Sequence, residues 1–409
     1  MTTALHLPEK PHHTRPRPRD LVRALGPRQL ADGLIALLFS ATGPVALIMA
    51  AGHQGGMNGA EISSWIFGVF FCNGILTVLA SWIYRTPLAF FWTIPGTVIV
   101  GSSLGHLSLS EVVGAYLVTG ALITILGVSG LAKWFMELLP LPIVMAMVAG
   151  VFLSFGLDLI HSLWDAPLLT VPMAIAFAVL VALPRLGSKI PPVLAAMVVG
   201  IVAVTAAGQW NAGDPTLGIL ATPMLHAPAF TFRAAAELVL PLAITVIVVQ
   251  NGQGVAVLRG TGHHPPVTAS AILSGVWSVL VAPLGAVSSC LTGPTNALIV
   301  AGKPADRHWA AAIVTGVGAI VVGILAPAFV GVILRTPAEF LAALAGLAML
   351  VPLCGAFATA FSRVGWFGPL SCFLVTVADQ SLFGIGAPFW GVAAGLAVWA
   401  LIDRRNDAD

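Results

Sequence analysis

The sequence predicts an all-α polytopic membrane protein with fourteen transmembrane segments, arranged as a seven-plus-seven inverted repeat. Its composition predicts the membrane class, because 58% of the 409 residues are hydrophobic and only 8% are charged, whereas a soluble domain has about 25% charged residues. Two apolar stretches interrupted by proline and glycine occupy matching positions in the two halves, a pattern typical of transporter binding sites. We expect these broken segments, numbers 3 and 10, to meet at the midplane of the membrane.

Residues 1–29 are polar, proline-rich and basic, which predicts a disordered cytoplasmic tail. The tail either only sets the topology, which is the favoured reading, or also anchors near anionic lipid. This segment lacks the apolar core and the small-residue cleavage site of a signal peptide. The four cysteines all fall inside predicted spans and show neither metal-ligand nor disulfide spacing, so we expect buried apolar residues. No cofactor, metal or nucleic acid is predicted from these features.

Fourteen apolar stretches follow the tail, and a span needs about 20 such residues to cross a bilayer. Their approximate bounds are 30–51, 62–83, 87–104, 111–131, 139–157, 166–184, 190–208, 234–257, 266–282, 283–301, 308–331, 338–359, 364–378 and 384–402. When the N-terminus is placed in the cytoplasm, sixteen of the eighteen lysines and arginines fall inside, and only Arg233 and Arg335 fall outside. This positive-inside distribution predicts a multi-pass protein with both termini in the cytoplasm.

The two halves of the chain resemble each other. A shift of 196 residues places Pro87 on Pro283 and the run AYLVTGALITILG on AAIVTGVGAIVVG, and a shift of 210 places VALIMAAGH on VAVLRGTGH. Because seven spans are an odd number, the second copy is inserted upside down. The sequence therefore predicts a first repeat at 30–208, a linker at 209–233 and a second repeat at 234–403.

The broken segments share one plan, an extended apolar run followed by a half-helix. In Ala282–Val300, APLGAVSSCLTGPTNALIV, we expect the half-helix to start near Gly293–Thr295. In Thr86–Val100, TPLAFFWTIPGTVIV, the triplet Pro95-Gly96-Thr97 opens the second half-helix. Irregular backbone at membrane depth is tolerated only inside protein or beside a cavity, and a helix N-terminus attracts anions. These segments therefore predict an anion site without a cationic side chain.

Uncharged polar side chains are predicted to complete this site. Gln250, Asn251 and Gln253 interrupt the apolar run of span 8, where they either bind substrate or pair with the open backbone of span 10. Trp92 is either an aromatic wall for the substrate or a buried packing residue. The predicted substrate-binding set is Ser40, Thr42, Trp92, Thr93, Pro95, Gly96, Thr97, Gln250, Asn251, Gln253, Ser289, Thr292, Gly293, Thr295 and Asn296. Such a site suits a small aromatic anion, whose carboxylate takes the half-helix N–H groups while its ring takes the aromatic wall.

Asp32 and Glu237 are the predicted proton-coupling residues, because an ionisable group inside a membrane is functional by default. Both lie near the starts of their spans, so interfacial capping is the alternative reading. The histidines at 53, 106, 263 and 264 are predicted to be solvated loop residues. Glu61 and the histidines are further possible proton carriers. Another route needs no carrier residue, since the acid can cross with its own proton. No nucleophile with a base and no phosphate loop is found, so the sequence predicts that the protein is not an enzyme.

Three runs resemble the benzoate–proton symporter family of bacterial inner membranes. They begin with SSWIFGVFFCNGILTVL, LPLAITVIVVQNGQGVAVL and VAPLGAVSSCLTGPTNAL, and the likeness extends from about Leu30 to Arg404. Its most specific parts are W-x-x-P-G at Trp92–Gly96, Q-N-x-x-G-V-A-V-L at Gln250–Leu258 and A-P-x-G at Ala282–Gly285. The resemblance implies proton-coupled uptake of benzoate or a similar aromatic carboxylate across the inner membrane.

The family is similar to a wider group that includes nucleobase carriers and anion exchangers. This likeness implies a core domain of spans 1–4 and 8–11, a gate domain of spans 5–7 and 12–14, elevator-like movement of one against the other, and a homodimer through the gate domain. Nucleobase carriers usually place acidic residues where this chain has Gln250 and Pro294, which argues against a nucleobase. A carrier of another small anion or of a nucleobase, and a passive anion channel, are the competing hypotheses.

Overall fold

The computed structural model describes residues 8–11, 16–132, 140–187, 190–212, 217–301, 304–362, 366–380, 382 and 386–403. The principal helices are α1 Pro27–Gln54, α2 Gly59–Tyr84, α3 Ile94–Ser103, α4 Leu109–Val128, α5 Leu141–Asp165, α6 Pro167–Ala182, α7 Pro192–Ala207, α8 Phe232–Gly260, α9 Val267–Leu284, α10 Gly293–Ile299, α11 Ala305–Ile324, α12 Ala338–Ala360, α13 Phe367–Val377 and α14 Ala387–Asp403. Three shorter helices, left without numbers, are Pro18–Ala24, Pro184–Gly187 and Ala326–Ile333. Two strands complete the fold, β1 Phe90–Trp92 and β2 Ser289–Leu291.

Long apolar helices confirm the predicted class of helical membrane protein. Among the described residues, eight helices are long and apolar enough to cross a membrane. Shorter apolar helices occupy other predicted spans, so the count of fourteen stays a prediction. The predicted span at 308–331 contains a break, because α11 ends at Ile324 and a separate helix starts at Ala326 with Pro327 in its first turn. Proline lacks the N–H that a continuous helix needs at that point.

The broken segments meet as predicted, through a two-stranded antiparallel sheet between β1 and β2. Phe90 pairs with Leu291, Phe91 with Cys290 and Trp92 with Ser289. Each strand runs directly into a half-helix, since α3 begins at Ile94 and α10 begins at Gly293. The half-helices therefore start at opposite ends of the two-stranded sheet and run in opposite directions, as an inverted repeat requires.

Helix contacts follow the same symmetry. The helix α2 packs against α11 while α4 packs against α9, and α1 packs against α3 while α8 packs against α10. The pair α6–α7 corresponds to α13–α14, and α5 packs against its own counterpart α12. The symmetry operation exchanges each helix of the first half with the helix numbered seven higher in the second half. Under this exchange, every helix contact named here becomes another contact named here, or the same one. This exchange describes a pseudo-twofold axis, which passes between β1 and β2.

The register of the repeat shifts at the broken segments. The strand centres Phe91 and Cys290 are 199 residues apart, 290 minus 91, and so are the half-helix starts Ile94 and Gly293. The sequence shift of 196 is therefore three residues too small at this place. Three extra residues lie between Pro283 and β2, and α10, with 7 residues, is three shorter than α3, with 10. The shift of 196 consequently applies again at α4 and α11.

Parts of the N-terminal segment differ from the predicted disordered tail. Residues Pro18–Ala24 form a helix, and Glu9 binds the first turn of α9 through its carboxylate. Glu9 Oε1 accepts from the N–H of Thr268 at 2.8 Å and Oε2 from the N–H of Ala269 at 2.9 Å. Tyr84 donates its hydroxyl proton to the Glu9 carbonyl. An anion at a helix N-terminus is stabilised by unpaired N–H groups, which explains the contact. Residues 1–7 and 12–15 lie outside the described residues.

Candidate functional site

Side chains on α2 satisfy the outer edge of β1. Thr77 Oγ1 donates to the carbonyl of Phe90 at 3.0 Å and accepts from its N–H at 2.9 Å. One turn later, Ser81 Oγ does the same for Leu88, at 3.3 Å and 3.1 Å. Because Thr77 and Ser81 are four residues apart on one helix face, they match successive inward-facing peptide groups. Short hydroxyl side chains thus take the place of a third strand.

The edge of β2 is satisfied by α8 and α9. Asn251 Oδ1 accepts from the N–H of Leu291 at 2.7 Å, and its amide group is 3.3 Å from Ser274 Oγ. Ser278 Oγ accepts from the N–H of Ser289 at 2.9 Å. Asn251 therefore pairs with the open backbone of the second broken segment, which is the structural alternative stated above. Binding of substrate by Asn251 stays a prediction.

Asn296 connects α10 to the first broken segment. Its Oδ1 accepts from the N–H of Ala89, and its Nδ2 donates to the carbonyl of Ala89, both at 3.0 Å. The same Nδ2 also donates to the carbonyl of Thr292 at 2.6 Å. All the side-chain polar atoms of Asn296 are thus used within the protein. We assign it a structural contact, and a direct role toward substrate stays a prediction.

The half-helix N-termini present fewer donors than their geometry suggests. Thr93 caps α3, since its Oγ1 accepts from the N–H of Gly96 at 3.1 Å, while Thr97 Oγ1 donates back to the Thr93 carbonyl. Pro95 and Pro294 stand in the first turns of α3 and α10 and have no N–H. The positive ends of the two helices remain, but fewer N–H groups are left for an anion than the sequence predicts.

A small cavity opens where the two broken segments meet α1. Its volume is about 10 Å³, and its lining contains no charged residue. The lining residues are Phe39, Ser40, Pro44, Phe91, Trp92, Ile94, Thr292, Pro294 and Thr295. Four predicted residues come together here: Ser40, Trp92, Thr292 and Thr295. Phe39 and Phe91 add aromatic wall that the sequence analysis did not single out, although Phe39 immediately precedes Ser40.

Two hydroxyl groups face each other across this cavity. Ser40 Oγ lies 3.1 Å from Thr295 Oγ1, and Ser40 also donates to the carbonyl of Ala36 at 3.0 Å. A serine hydroxyl has one proton, so Thr295 is the donor toward Ser40 when Ser40 donates to Ala36. Both hydroxyls can instead turn toward a bound anion, because rotation about one bond redirects each proton.

Several buried polar atoms near the broken segments have no hydrogen-bond partner among the described residues. They are Trp92 Nε1, Gln250 Oε1, Ser288 Oγ and Ser289 Oγ. Leaving a buried polar group unpaired costs about 1–3 kcal/mol. Trp92 is 1% exposed and packs on Phe70 with ring centroids 5.1 Å apart. A polar ligand that supplied partners to these atoms would recover part of that cost.

The remaining predicted residues lie away from the cavity lining. Thr42 Oγ1 donates back to the carbonyl of Leu38 at 2.8 Å within α1. Gln253 is exposed, and its side chain lies against Gly293, where an added Cβ would approach Gln253 Oε1 to 3.0 Å. Asp32 is 4.0 Å from Arg28 one turn earlier on α1. Roles for these residues in binding or proton coupling stay predictions.

Glu237 is buried, which differs from the interfacial cap considered above. Its side chain is 3% exposed, and Ser103 Oγ donates to its Oε1 at 2.6 Å. His106 Nε2 lies 3.0 Å from Oε2 and 3.1 Å from Oε1. His106 is an exposed residue in the turn after α3, as predicted, but its contact with Glu237 departs from the prediction of a purely solvated side chain. The spacing of Ser103 and His106, three residues apart at the end of α3, is the only sequence signal of this cluster.

His263 also departs from the solvated-loop prediction. Its Nε2 lies 2.9 Å from His308 Nδ1, at the end of the molecule where α8 ends and α11 begins. Burial, together with the charges of His308 and His264, lowers the pKa of His263 to about 4. His53 and His264 are exposed, as predicted.

The family model described as "Benzoate membrane transport protein" matches residues 24–401. "Inner membrane protein YdcO" of Escherichia coli K12 is 30% identical over 389 residues, covering 94% of this chain and 98% of that protein. The "Benzoate membrane transport protein" of Acinetobacter baylyi is 26% identical over 375 residues, covering 90% and 94%.

A solved structure also shares this fold. "The transmembrane domain of a cyanobacterium bicarbonate transporter BicA" is similar with a TM-score of 0.59 and 16% sequence identity. The match covers 92% of this chain and 98% of that one. At this identity the similarity establishes the fold alone.

Proposed function

This chain belongs to the benzoate membrane transport protein family, and from that premise we propose that it takes up benzoate or a similar aromatic carboxylate together with a proton. The protein is a multi-pass membrane transporter. We propose that it lies in a bacterial inner membrane with both termini in the cytoplasm. The charge distribution of its loops and the name of the Escherichia coli relative, an inner membrane protein, support this proposal.

The observation that carries the proposal is the lining of the cavity between the half-helices. Aromatic rings of Phe39, Phe91 and Trp92 offer a wall for a benzene ring, and the hydroxyls of Ser40 and Thr295 offer donors for a carboxylate. The starts of α3 and α10 direct two positive dipole ends to this place. The open space is only about 10 Å³, so the cavity walls must move apart to admit a ligand with a single ring.

An uncharged lining also bears on which form of the ligand is carried. A fixed cation at this depth would hold a carboxylate firmly, whereas hydroxyls and dipoles bind it without a counter-charge. Moving the bare anion through the membrane without a counter-charge then costs free energy. A proton that travels with the anion neutralises its charge and reduces this cost. This reasoning favours proton coupling over uniport of the anion.

The packing of the helices supports an elevator-like mechanism. The broken segments, α1 and α8 contact one another closely, together with α2–α11 and α4–α9. We propose that these helices form a core domain, and that α5–α7 and α12–α14 form a gate domain against which it moves. Homodimerisation through the gate domain is part of the same proposal and comes from the family resemblance.

Uptake of labelled benzoate into proteoliposomes tests the proposal, with an inward proton gradient and without one. We expect saturable accumulation that depends on the gradient. A passive channel would give flux without saturation or pH coupling, and would contradict the proposal.

A carrier of a smaller anion is the second candidate, because this chain shares its fold with the transmembrane domain of a cyanobacterium bicarbonate transporter. Competition separates the two candidates. Benzoate uptake that is blocked by other aromatic acids but not by bicarbonate, sulfate or uracil supports the first. The reverse pattern supports a small inorganic anion or a nucleobase.

A further inference from the structure

We propose that His106 and Glu237, held by Ser103, form a proton-binding site of the transporter, and that its occupancy controls the contact between the core domain and α14. This inference deepens the proposed function and rests on it. The site lies at the opposite end of α3 and α8 from the substrate cavity, at the end of the molecule that the charge distribution predicts to face outside.

The geometry requires a proton between the two side chains. His106 Nε2 lies 3.0 Å from one carboxylate oxygen and 3.1 Å from the other. A bare ring nitrogen and a carboxylate would present lone pairs to each other at this separation, which is repulsive. A neutral imidazole with its hydrogen on Nε2 donates to the charged carboxylate. When the pair takes up one more proton, that proton lies either on the imidazole, which then donates as imidazolium, or on the carboxyl group, which then donates to the other imidazole tautomer.

The two partners differ in burial, and this difference indicates from which side a proton enters the pair. The His106 side chain is 34% exposed, whereas that of Glu237 is 3% exposed. Solvent therefore reaches the pair through His106, and Glu237 is the inner member. A proton taken up by His106 can pass along the hydrogen bond to the carboxylate. Ser103 stabilises the charged carboxylate with its hydrogen bond of 2.6 Å.

The Glu237 carboxylate lies beside the N-cap of α14. Gly386 is the N-cap of that helix, and a Cβ added there would lie 3.0 Å from Glu237 Oε1 and 3.2 Å from its Cδ. A helix N-terminus attracts a negative charge. The charged form of Glu237 thus favours contact between α8 of the core domain and α14 of the gate domain, and protonation of Glu237 weakens it.

Few other charges act on the pair from the helices packed around it. On α4, Glu111 is bound by Ser108 and interacts with Arg233 of α8, and Tyr116 is buried. From α14 the described contact is Gly386, which has no titratable group. Among the described residues, no other carboxylate lies at hydrogen-bond distance from the pair.

Two helices connect the pair to the cavity. The helix α3 carries Ser103 at one end and begins at Ile94, a cavity residue, at the other. The helix α8 carries Glu237 near its start and Gln250 and Asn251 in π-helical turns beside β2. A shift of either helix relative to α14 moves the cavity with it, which provides a mechanical link between proton binding and transport.

The test uses the full-length protein in proteoliposomes, with labelled benzoate, and compares Glu237→Gln and His106→Gln with Glu111→Gln. Glutamine at position 111 preserves the capping box of α4, so this variant is the matched control. We expect both pair variants to retain benzoate–benzoate exchange and to lose accumulation driven by the proton gradient. Normal accumulation by Glu237→Gln would overturn the inference.

If Glu237→Gln fails to fold, His106→Gln, at the more exposed member of the pair, is judged by the same criteria. If the unmodified protein neither accumulates nor exchanges benzoate, the proposed substrate is wrong, and the pair is tested by stability alone. Melting temperature is then measured against pH for both single variants and the double variant. A shared proton predicts that the double variant is no more changed than either single one, and additive changes would overturn the pair.

Gly386→Ala tests the contact with α14 in the same stability assay. The added methyl group would sit 3.0 Å from Glu237 Oε1, which separates the helix from the carboxylate. We expect the pH dependence of the melting temperature to shrink toward that of Glu237→Gln. A pH dependence equal to that of the unmodified protein would show that protonation of Glu237 does not act through α14.

Discussion

At the scale of single residues, a few uncharged groups around the cavity have different roles. Thr295 donates its hydroxyl proton to Ser40, and Ser40 donates its own to the carbonyl of Ala36, so both hydroxyls can turn toward a ligand. Asn251 and Asn296 have no such freedom, because their amides bind Leu291 and Ala89 of the broken segments. The hydroxyls are therefore better suited to substrate contact, and the amides to holding the strands.

Thr295 gives the sharpest residue-level prediction. Replacing it with valine keeps the side-chain shape and removes the hydroxyl, whereas Thr295→Ser keeps the hydroxyl. A hydrogen bond to a charged group contributes about 1.5–3 kcal/mol, so Thr295→Val should raise the apparent KM for benzoate about tenfold or more. The serine variant should stay near the unmodified value. Equal KM values for the valine variant and the unmodified protein would remove Thr295 from the site.

His263 predicts a pH effect on stability. Its folded pKa is lowered to about 4 from an ordinary value of about 6.5, so the unfolded chain takes up the proton first as the pH falls. Stability should therefore decrease between about pH 6.5 and pH 4, because the charged form is penalised only in the folded state. Thermal melting of His263→Asn should be less sensitive to pH in that window. An unchanged pH profile would contradict this assignment.

At the scale of elements, the two short strands are stabilised by side chains and not by further strands. Thr77 and Ser81 on α2 bind one edge, and Ser278 and Asn251 bind the other. Each unpaired backbone group inside a membrane costs roughly several kcal/mol. The small hydroxyl residues on α2 and α9 thus make the irregular backbone possible.

Thr77→Val tests this arrangement against Thr119→Val. Both threonines are 0% exposed, but Thr119 donates only to the carbonyl of Ala115 within its own helix. Losing Thr77 leaves the N–H and carbonyl of Phe90 unpaired, so we expect an additional destabilisation of about 1–3 kcal/mol. Thermal unfolding in detergent measures the difference. Equal melting temperatures for the two variants would show that water or neighbours satisfy Phe90.

Glu9 predicts a second stability effect, at the start of α9. Backbone N–H groups of Thr268 and Ala269 lower the pKa of Glu9 against the opposing effect of its burial. A lowered folded pKa stabilises the protein above the ordinary pKa of the group, and this contribution is lost as the pH falls through the folded pKa. Glu9→Gln should cost about 1 kcal/mol near neutral pH, as for other helix caps, and less in acid. A pH-independent difference would contradict the charge-based account.

The elements show how far the sequence could predict this fold. Proline at 95 and 294, each preceded by an extended apolar run, predicted both half-helix starts, because proline favours the first turn of a helix. The three-residue change of register before β2 could not be predicted, since it depends on strand pairing between distant segments. The break between Ile324 and Ala326 was missed because the apolar run continues through it without a charge.

The candidate site was predictable in part for similar reasons. Polar residues in apolar runs, such as Thr295, were visible as exceptions in the sequence. Phe39 and Phe91 were not, because an aromatic residue in a membrane span is usually lipid-facing or packed. The contact of Glu237 with His106 joins residues 131 positions apart, and no local pattern predicts such a pair.

At the scale of the whole molecule, symmetry explains why the site lies where it does. Inversion brings the two broken segments to one axis, and with them two helix starts that point at the same cavity. The other helices pack in pairs related by that axis. A transporter of this design can alternate between two similar states by exchanging the roles of its halves, which is the basis of the proposed core and gate movement.

The most direct measurement is uptake of labelled benzoate by the full-length protein in proteoliposomes, with and without an inward proton gradient. The account predicts saturable accumulation above the external concentration with the gradient, and only equilibration without it. Thr295→Val should weaken this uptake and Thr295→Ser should not. Uptake that ignores the proton gradient, or a gradient-driven uptake unaffected by Thr295→Val, would contradict the central claim that this cavity carries an aromatic acid with a proton.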